Sequence, residues 1–173
     1  MKKLLVVCLT VLMTVCISVS VFAAGGFISS PSGNLAPTVI SFEPQNDECT
    51  AQLVITPYAE REELPETLEK MMKTAFKQLL STNDLTTLNA DFSKIVADKK
   101  INAENLAVSD LFDIHVTGCD FHDGHVDFDI TLAAETLSHF VGLLHMKHDG
   151  TWEFIKDAKI TNNGEHLEFS VET

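Results

Sequence analysis

Three dipeptides, Asp123-Gly124, Asp149-Gly150 and Asn163-Gly164, punctuate the last third of the chain. Each tolerates positive φ at both central positions of a two-residue hairpin turn. Their flanks alternate as hairpin arms do. Val126, Phe128, Ile130 and Leu132 follow the first turn, and Ala158 and Ile160 are expected to face Phe169 and Leu167 around the third. A one-residue slip would turn every apolar side chain to the wrong face, so turn and alternation together dictate antiparallel strands from Gly118 onward.

Upstream the period changes. Leu53 and Ile55 in "CTAQLVITPY" alternate with Gln52 and Val54, a strand stopped by Pro57. Leu68, Met71, Met72, Ala75, Phe76, Leu79 and Leu80 then recur at helical spacing, with Pro65 suited to the first helical position. The stripe is expected to pack on the protein's own core, with Glu66 and Lys70, and Glu69 and Lys73, paired on the exposed side. Asp84 can cap a second helix whose apolar face is Leu85, Leu88, Phe92, Ile95 and Val96, ending near "DKK". After Asn102 to Asn105, Phe112, Ile114 and Val116 alternate with Asp113, His115 and Thr117, a half-buried strand. The expected fold is α+β: an antiparallel β-meander or β-sandwich with a two-helix segment inserted after the first strands.

The N-terminus indicates where the protein works. Lys2 and Lys3 precede an apolar run from Leu4 to Phe22, and Val21-Phe22-Ala23 offers small residues at the two positions a signal peptidase reads. Residues 1–23 are therefore expected to be a secretory signal peptide cut after Ala23, with a retained membrane anchor as the alternative. Neither Cys8 nor Cys16 follows a small residue, which disfavours a lipoprotein anchor. Residues 24–48 form a Gly/Ser/Pro-rich flexible leader in which Val39, Ile40 and Phe42 suit an edge strand, and residues 49–173 are long enough for one domain. Cleavage removes two of the 12 Lys+Arg and none of the 25 Asp+Glu, leaving a net charge of −15. Such a surface repels nucleic acid and anionic membranes and favours cations, basic proteins or neutral glycans, so the expected partners are an extracellular protein or a glycan, with no membrane insertion after cleavage. Only Cys49 and Cys119 remain. In an exported chain they are expected to form one disulfide, with two buried thiols as the alternative. No CxxC spacing indicates redox or zinc-ribbon chemistry.

The stretch "CDFHDGHVDFD", Cys119 to Asp129, gathers histidines and aspartates around a turn. A two-residue turn would set His122 opposite His125, Asp120 opposite Asp127 and Cys119 opposite Phe128, placing His122, His125, Asp120 and Asp127 on one face. Two histidines with flanking carboxylates could hold Zn²⁺ or Ca²⁺, with help from His115 or His139. The more economical reading is the polar face of a hairpin in an Asp-rich protein that carries no cofactor. "HDGHVDF" (His122 to Phe128) is echoed by "HDGTWEF" (His148 to Phe154), which keeps the turn and replaces the second histidine with Thr151. His145 and His148, three apart on a strand, point to opposite faces. GxSxG, HExxH, P-loop and dinucleotide-glycine patterns are missing, and no catalytic residue is assigned. Trp152 and Tyr58 are the sole Trp and Tyr that could serve as a glycan platform, although the echo aligns Trp152 with inward-facing Val126.

The runs "CTAQLVITPYAE", "NLAVSDLFDIHVTG" and "HDGTWEFIKDAKITNNGEHLEFSVET" resemble uncharacterised, secreted β-rich modules, of Ig-like sandwich type, in cell-surface proteins of Gram-positive anaerobes. The resemblance covers residues 38–173 and implies a structural framework without catalytic residues to carry over. In that pattern a further strand beginning Phe-Ser-Pro follows, so the domain is expected to continue past Thr173, where cell-wall association would reside. The function these readings imply is a secreted, non-enzymatic cell-surface module with a binding or structural role. The alternatives are an extracellular metal-binding protein and a glycan-binding module.

Overall fold

The apolar stripe of the first helix sets one face of the core. A computed structural model of the chain describes residues 7–17, 27, 36–44, 52–117, 127–134 and 139–172. α1 (Glu66–Ser81) buries Leu68, Met72, Ala75 and Leu79 and leaves its charged side to solvent, where Lys70 and Glu66 lie 2.6 Å apart and Lys73 and Glu69 pair likewise. Pro65 stands one position before the helix, as its N-cap residue. Asp84 caps only a short 3-10 turn, Leu85–Leu88, by accepting from the Thr86 amide. The second helix, α2 (Ala90–Asp98), starts later and is capped by Asn89, whose carboxamide oxygen accepts from the amides of Asp91 and Phe92. Asn89 wins because its Nδ2 also donates to the Trp152 carbonyl at 2.9 Å, tying the helix start to the sheet.

Among the described residues, nine strands form two antiparallel sheets, so the fold is α+β. They are β1 (Val7–Ile17), β2 (Val39–Pro44), β3 (Gln52–Pro57), β4 (Leu106–Thr117), β5 (Asp127–Ala133), β6 (Phe140–Met146), β7 (Trp152–Ile155), β8 (Lys159–Thr161) and β9 (His166–Glu172). The first sheet has the order β3-β4-β1-β6-β7 and the second β2-β5-β9-β8. The chain does not run as a simple meander, for it changes sheet after β1, β2, β4, β5 and β7. Among the described residues of the C-terminal half, β6–β7 and β8–β9 are the hairpins between neighbours.

Both faces of the first sheet are covered. On one side Met72, Leu79, Phe92 and Val96 of the helices pack with Val108, Leu111, Leu144 and Met146. On the other, Phe112, Ile114, Val116 and Leu143 join Phe128, Ile130, Leu132, Leu167 and Phe169 of the second sheet. Phe128, Ile130 and Leu132 stand opposite Val171, Phe169 and Leu167, the inward row the alternation predicts. Ile160 faces Leu167 as expected. β2 is an edge strand, as its sequence suggested. Phe27, in the segment read as a flexible leader, is instead 1% exposed and bridges to Val108.

The turns are longer than the dipeptides implied. Met146 pairs with Trp152, and the Lys147 amide donates to the Thr151 carbonyl, leaving a three-residue loop in which Gly150 takes φ 82°. Thr161 pairs with His166 across a 3-10 turn in which Asn162, Asn163 and Gly164 all have positive φ. In the first, Gly150 supplies the left-handed residue, one place later than a two-residue turn requires; in the second, Asn162 and Asn163 share that conformation with Gly164.

The segment read as a signal peptide supplies the middle strand of the first sheet. Val7–Ile17 pairs antiparallel with β4 on one side and β6 on the other. Its run of Val, Leu, Ile, Thr and Cys suits a strand buried on both faces as well as it suits an export signal.

Close packing of α2 on β6 leaves no room for a side chain at Gly142. A Cβ there would come within 2.6 Å of Phe154 Cε2 and 3.4 Å of Phe92 Cε2. Gly142→Ala is expected to destabilise the fold by about 1–3 kcal/mol, measured by urea denaturation. A neutral result would show that the Phe154 ring gives way freely.

Candidate functional site

β4 was expected to expose one face, yet its polar residues turn toward covered space. Asp113 is 0% exposed. It lies on the helix-side face with Leu111 and opposite Thr56 of β3, itself buried, so both neighbours that would shield it from packing are inside. One carboxylate oxygen meets His115 Nδ1 at 2.7 Å, and the other has no hydrogen-bond partner among the described residues. Burial pushes the Asp113 carboxyl above its usual range, against the pull of His115 and of the more distant His148. The His115 side chain is 13% exposed. The carboxylate engages Nδ1 and so fixes the ring, leaving Nε2 as its remaining donor or acceptor. The pair can hold and orient a proton.

His145 occupies the other face. β1 residue Leu12 stands opposite both Phe112 and His145, which puts His145 in the row that faces the second sheet and away from Asp113. Its side chain is 12% exposed, with Nδ1 3.6 Å from Glu153 across the β6–β7 rung and Nε2 unpartnered among the described residues. Burial pushes the His145 pKa down, and Glu153 offsets this only in part. His148, in the following loop, is exposed, so the two histidines separate into one packed and one solvated.

A broad cleft lies elsewhere. A cleft of about 1150 Å³ opens between the C-terminal end of α2, the start of β6 and the β8–β9 turn. Lys99, Lys156, Lys159, His139, His166 and Glu165 line it, over an apolar floor that includes Val141, Phe154 and Ile160. Lys156 reaches Asp91 at 2.9 Å and Lys159 reaches Glu168 at 3.4 Å, so two of the three ammonium groups are held in place by carboxylates. Three of the ten Lys and Arg outside residues 1–23 gather at this one site in an acidic chain.

Of the residues singled out in the sequence, Cys49, Cys119, Asp120, His122 and His125 lie outside the described residues, as does the side chain of Asp127. Phe128, expected opposite Cys119, stands opposite Val171 on one side and Pro44 on the other; the rest of that hairpin lies outside the described residues. Among the described residues no group of three or more His, Cys, Asp or Glu is arranged to hold a metal ion. His115 is engaged by Asp113, whereas His139 lines the cleft, so the two helper histidines serve different places. Trp152 and Tyr58 are 7% and 6% exposed and offer no stacking platform. The indole nitrogen of Trp152 donates to Gln78 at 2.8 Å, and Tyr58 packs against Phe76 beneath the Arg61 guanidinium. Asp113 could have been noticed as a charge inside the run "LFDIHV"; the cleft, built from distant segments, left no local signal.

Comparison with family models, with curated proteins and with solved structures gives no match.

The lowered His145 pKa fixes a sign. Below 6.5 the unfolded chain binds this proton more readily than the folded one, so stability present above 6.5 is lost as pH falls through the lower, folded value. His145→Gln is expected to flatten that part of the profile, read as urea midpoints between pH 7 and about 5. An unchanged slope would place the acid sensitivity elsewhere.

Proposed function

We propose that this chain is an exported, non-enzymatic extracellular module with a two-sheet sandwich core, acting by ligand binding at the cleft between α2 and the β8–β9 turn. The cleft carries the reading. It is open, about 1150 Å³, and combines an apolar floor with three lysines and two histidines in a protein whose remaining surface is strongly acidic. Pockets of this size with a few convergent polar groups are the usual form of a small-ligand site. Its charge favours acidic ligands, such as a uronate- or sulfate-bearing glycan or an acidic segment of an extracellular protein.

An oxidised Cys49–Cys119 pair belongs to the same reading. The last described rung of β3 and β4 sets Gln52 opposite Thr117. Cys49 is three residues from that rung and Cys119 two, within about 11 Å and 7 Å of it even if fully extended. Tethers this short allow a disulfide, which would close a loop of about 70 residues and contribute roughly 4 kcal/mol.

Binding is tested by titrating acidic and neutral oligosaccharides, with a broad turnover screen beside it. Acidic ligands are expected to bind preferentially, and Lys99→Ala to weaken them about tenfold, the loss of one charge-assisted contact of about 1.5 kcal/mol. A preference for neutral ligands, or turnover of glycan, peptide or ester substrates, would overturn the proposal. For the disulfide, the non-reduced protein should weigh two hydrogens less than the reduced one, and Cys49→Ala should lower the unfolding free energy by roughly 4 kcal/mol. Equal masses would show free thiols.

A further inference from the structure

The sheet contains a strand whose residues have a second use. Residues 7–17 pair between β4 and β6, yet they also lie inside the segment whose removal export requires. β1 is antiparallel to both neighbours, so β4 and β6 run parallel to each other across a space one strand wide, about 10 Å between their axes. Both walls are interior strands. In β4, Leu106 to Ser109 and Leu111 to Ile114 are buried, and in β6, Val141 to Leu144 and Met146. Withdrawing β1 would leave two facing rows of backbone amides and carbonyls unpaired, in the middle layer of the molecule.

β1 fits this position with more irregularity than any other pairing. Its register to β4 slips between Leu9 and Leu12 and again between Thr14 and Val15, and its register to β6 slips between Val15 and Cys16. Among the other pairs β2–β5 has one slip, between Val39 and Ser41, and β3–β4, β5–β9, β6–β7 and β8–β9 have none. A space that takes a poorly registered segment selects it by extended shape and apolarity rather than by matched side chains.

We infer that the space between β4 and β6 is a strand-acceptor slot, which β1 fills in the full chain and which an extended apolar strand of a separate polypeptide fills once residues 1–23 are removed. The inference rests on the export reading above. Because the slot is covered on one side by α1 and α2 and on the other by the second sheet, the incoming strand is apolar on both faces, about eleven residues long and antiparallel to both walls. The other described strands are each paired already, so the donor comes from outside them. Backbone hydrogen bonds would supply the affinity, and the closely packed position of Gly142 would limit the donor's size nearby.

The test uses the full chain with a protease site inserted between Ala23 and Ala24, folded and then cut. A fluorescent peptide of residues 7–17, flanked by lysines for solubility, is added in excess in mild denaturant. It should replace the cut fragment one for one. Amide exchange in β4 and β6 should rise when the fragment is washed out and fall again when the peptide is added. A peptide carrying Pro at positions 12 and 14, which cannot donate at those two positions, should compete at least tenfold less well. If the loaded protein never exchanges its strand, the inference is overturned. It is also overturned if β4 and β6 stay protected with the slot emptied, or if the emptied chain forms a dimer that the peptide does not dissolve, because a second copy is then the occupant. Sequencing the N-terminus of protein recovered from the medium of expressing cells tests export separately. A start other than Ala24 would count against the export reading while leaving the slot measurements intact.

Discussion

The backbone pairing of β4 governs the rest of the molecule. This twelve-residue strand is buried along most of its length, packed by helices on one face and by the second sheet on the other. A strand so enclosed has no water to satisfy its amides and carbonyls, and each unpaired group would cost on the order of 1–3 kcal/mol. Both of its edges must therefore be paired. β3 fulfils this on one side without a slip, and the other edge has only β1. The helices and the second sheet can pack in register only while that pairing holds, because Leu111 and Phe112 anchor opposite clusters from adjacent positions.

How legible this was depended on whether a residue's partners lie nearby in the chain. The α1 stripe, its Glu–Lys pairs, the alternation of Phe128, Ile130 and Leu132, and the Ile160–Leu167 rung could all be read locally, because periodicity alone determines which side faces inward. The second helix was placed too early. Asp84 and Asn89 are both competent caps, and what separates them is the Asn89 bond to the Trp152 carbonyl, 63 residues away. The sheet change after β4 was missed for the same reason. A turn dipeptide announces a reversal but not the sheet in which the returning strand will pair, and β5 finds its neighbours in β2 and β9.

The candidate sites show this limit more sharply. The 119–129 stretch is dense in histidines and aspartates along the chain, whereas the cleft draws its lining from α2, β6, β8 and the turn before β9. Asp113 was read as the polar half of an alternating strand, a pattern that assumes one wet face. The helices cover that face, and burial then raises the Asp113 carboxyl pKa while His115 Nδ1 stays within hydrogen-bond distance of it. Two-sided burial converts an ordinary alternation into a buried polar pair.

The same two-sided burial bears on residues 7–17. An export signal and an interior strand make nearly identical demands of a sequence: an apolar run of moderate length, free of charge, without Pro or Gly. Helical periodicity or strand alternation would have separated the two, but a segment apolar on every side shows neither. Its residues are therefore compatible with both roles, and the choice passes to the surroundings. While the segment stays attached, the unpaired edges of β4 and β6 offer it more than twenty angstroms of backbone partners. Were it cut away, those edges would keep their requirement and lose the covalent tether that favours this particular strand. A buried sheet edge does not depend on which chain satisfies it, so removal of the segment would change the identity of the occupant without removing the need for one.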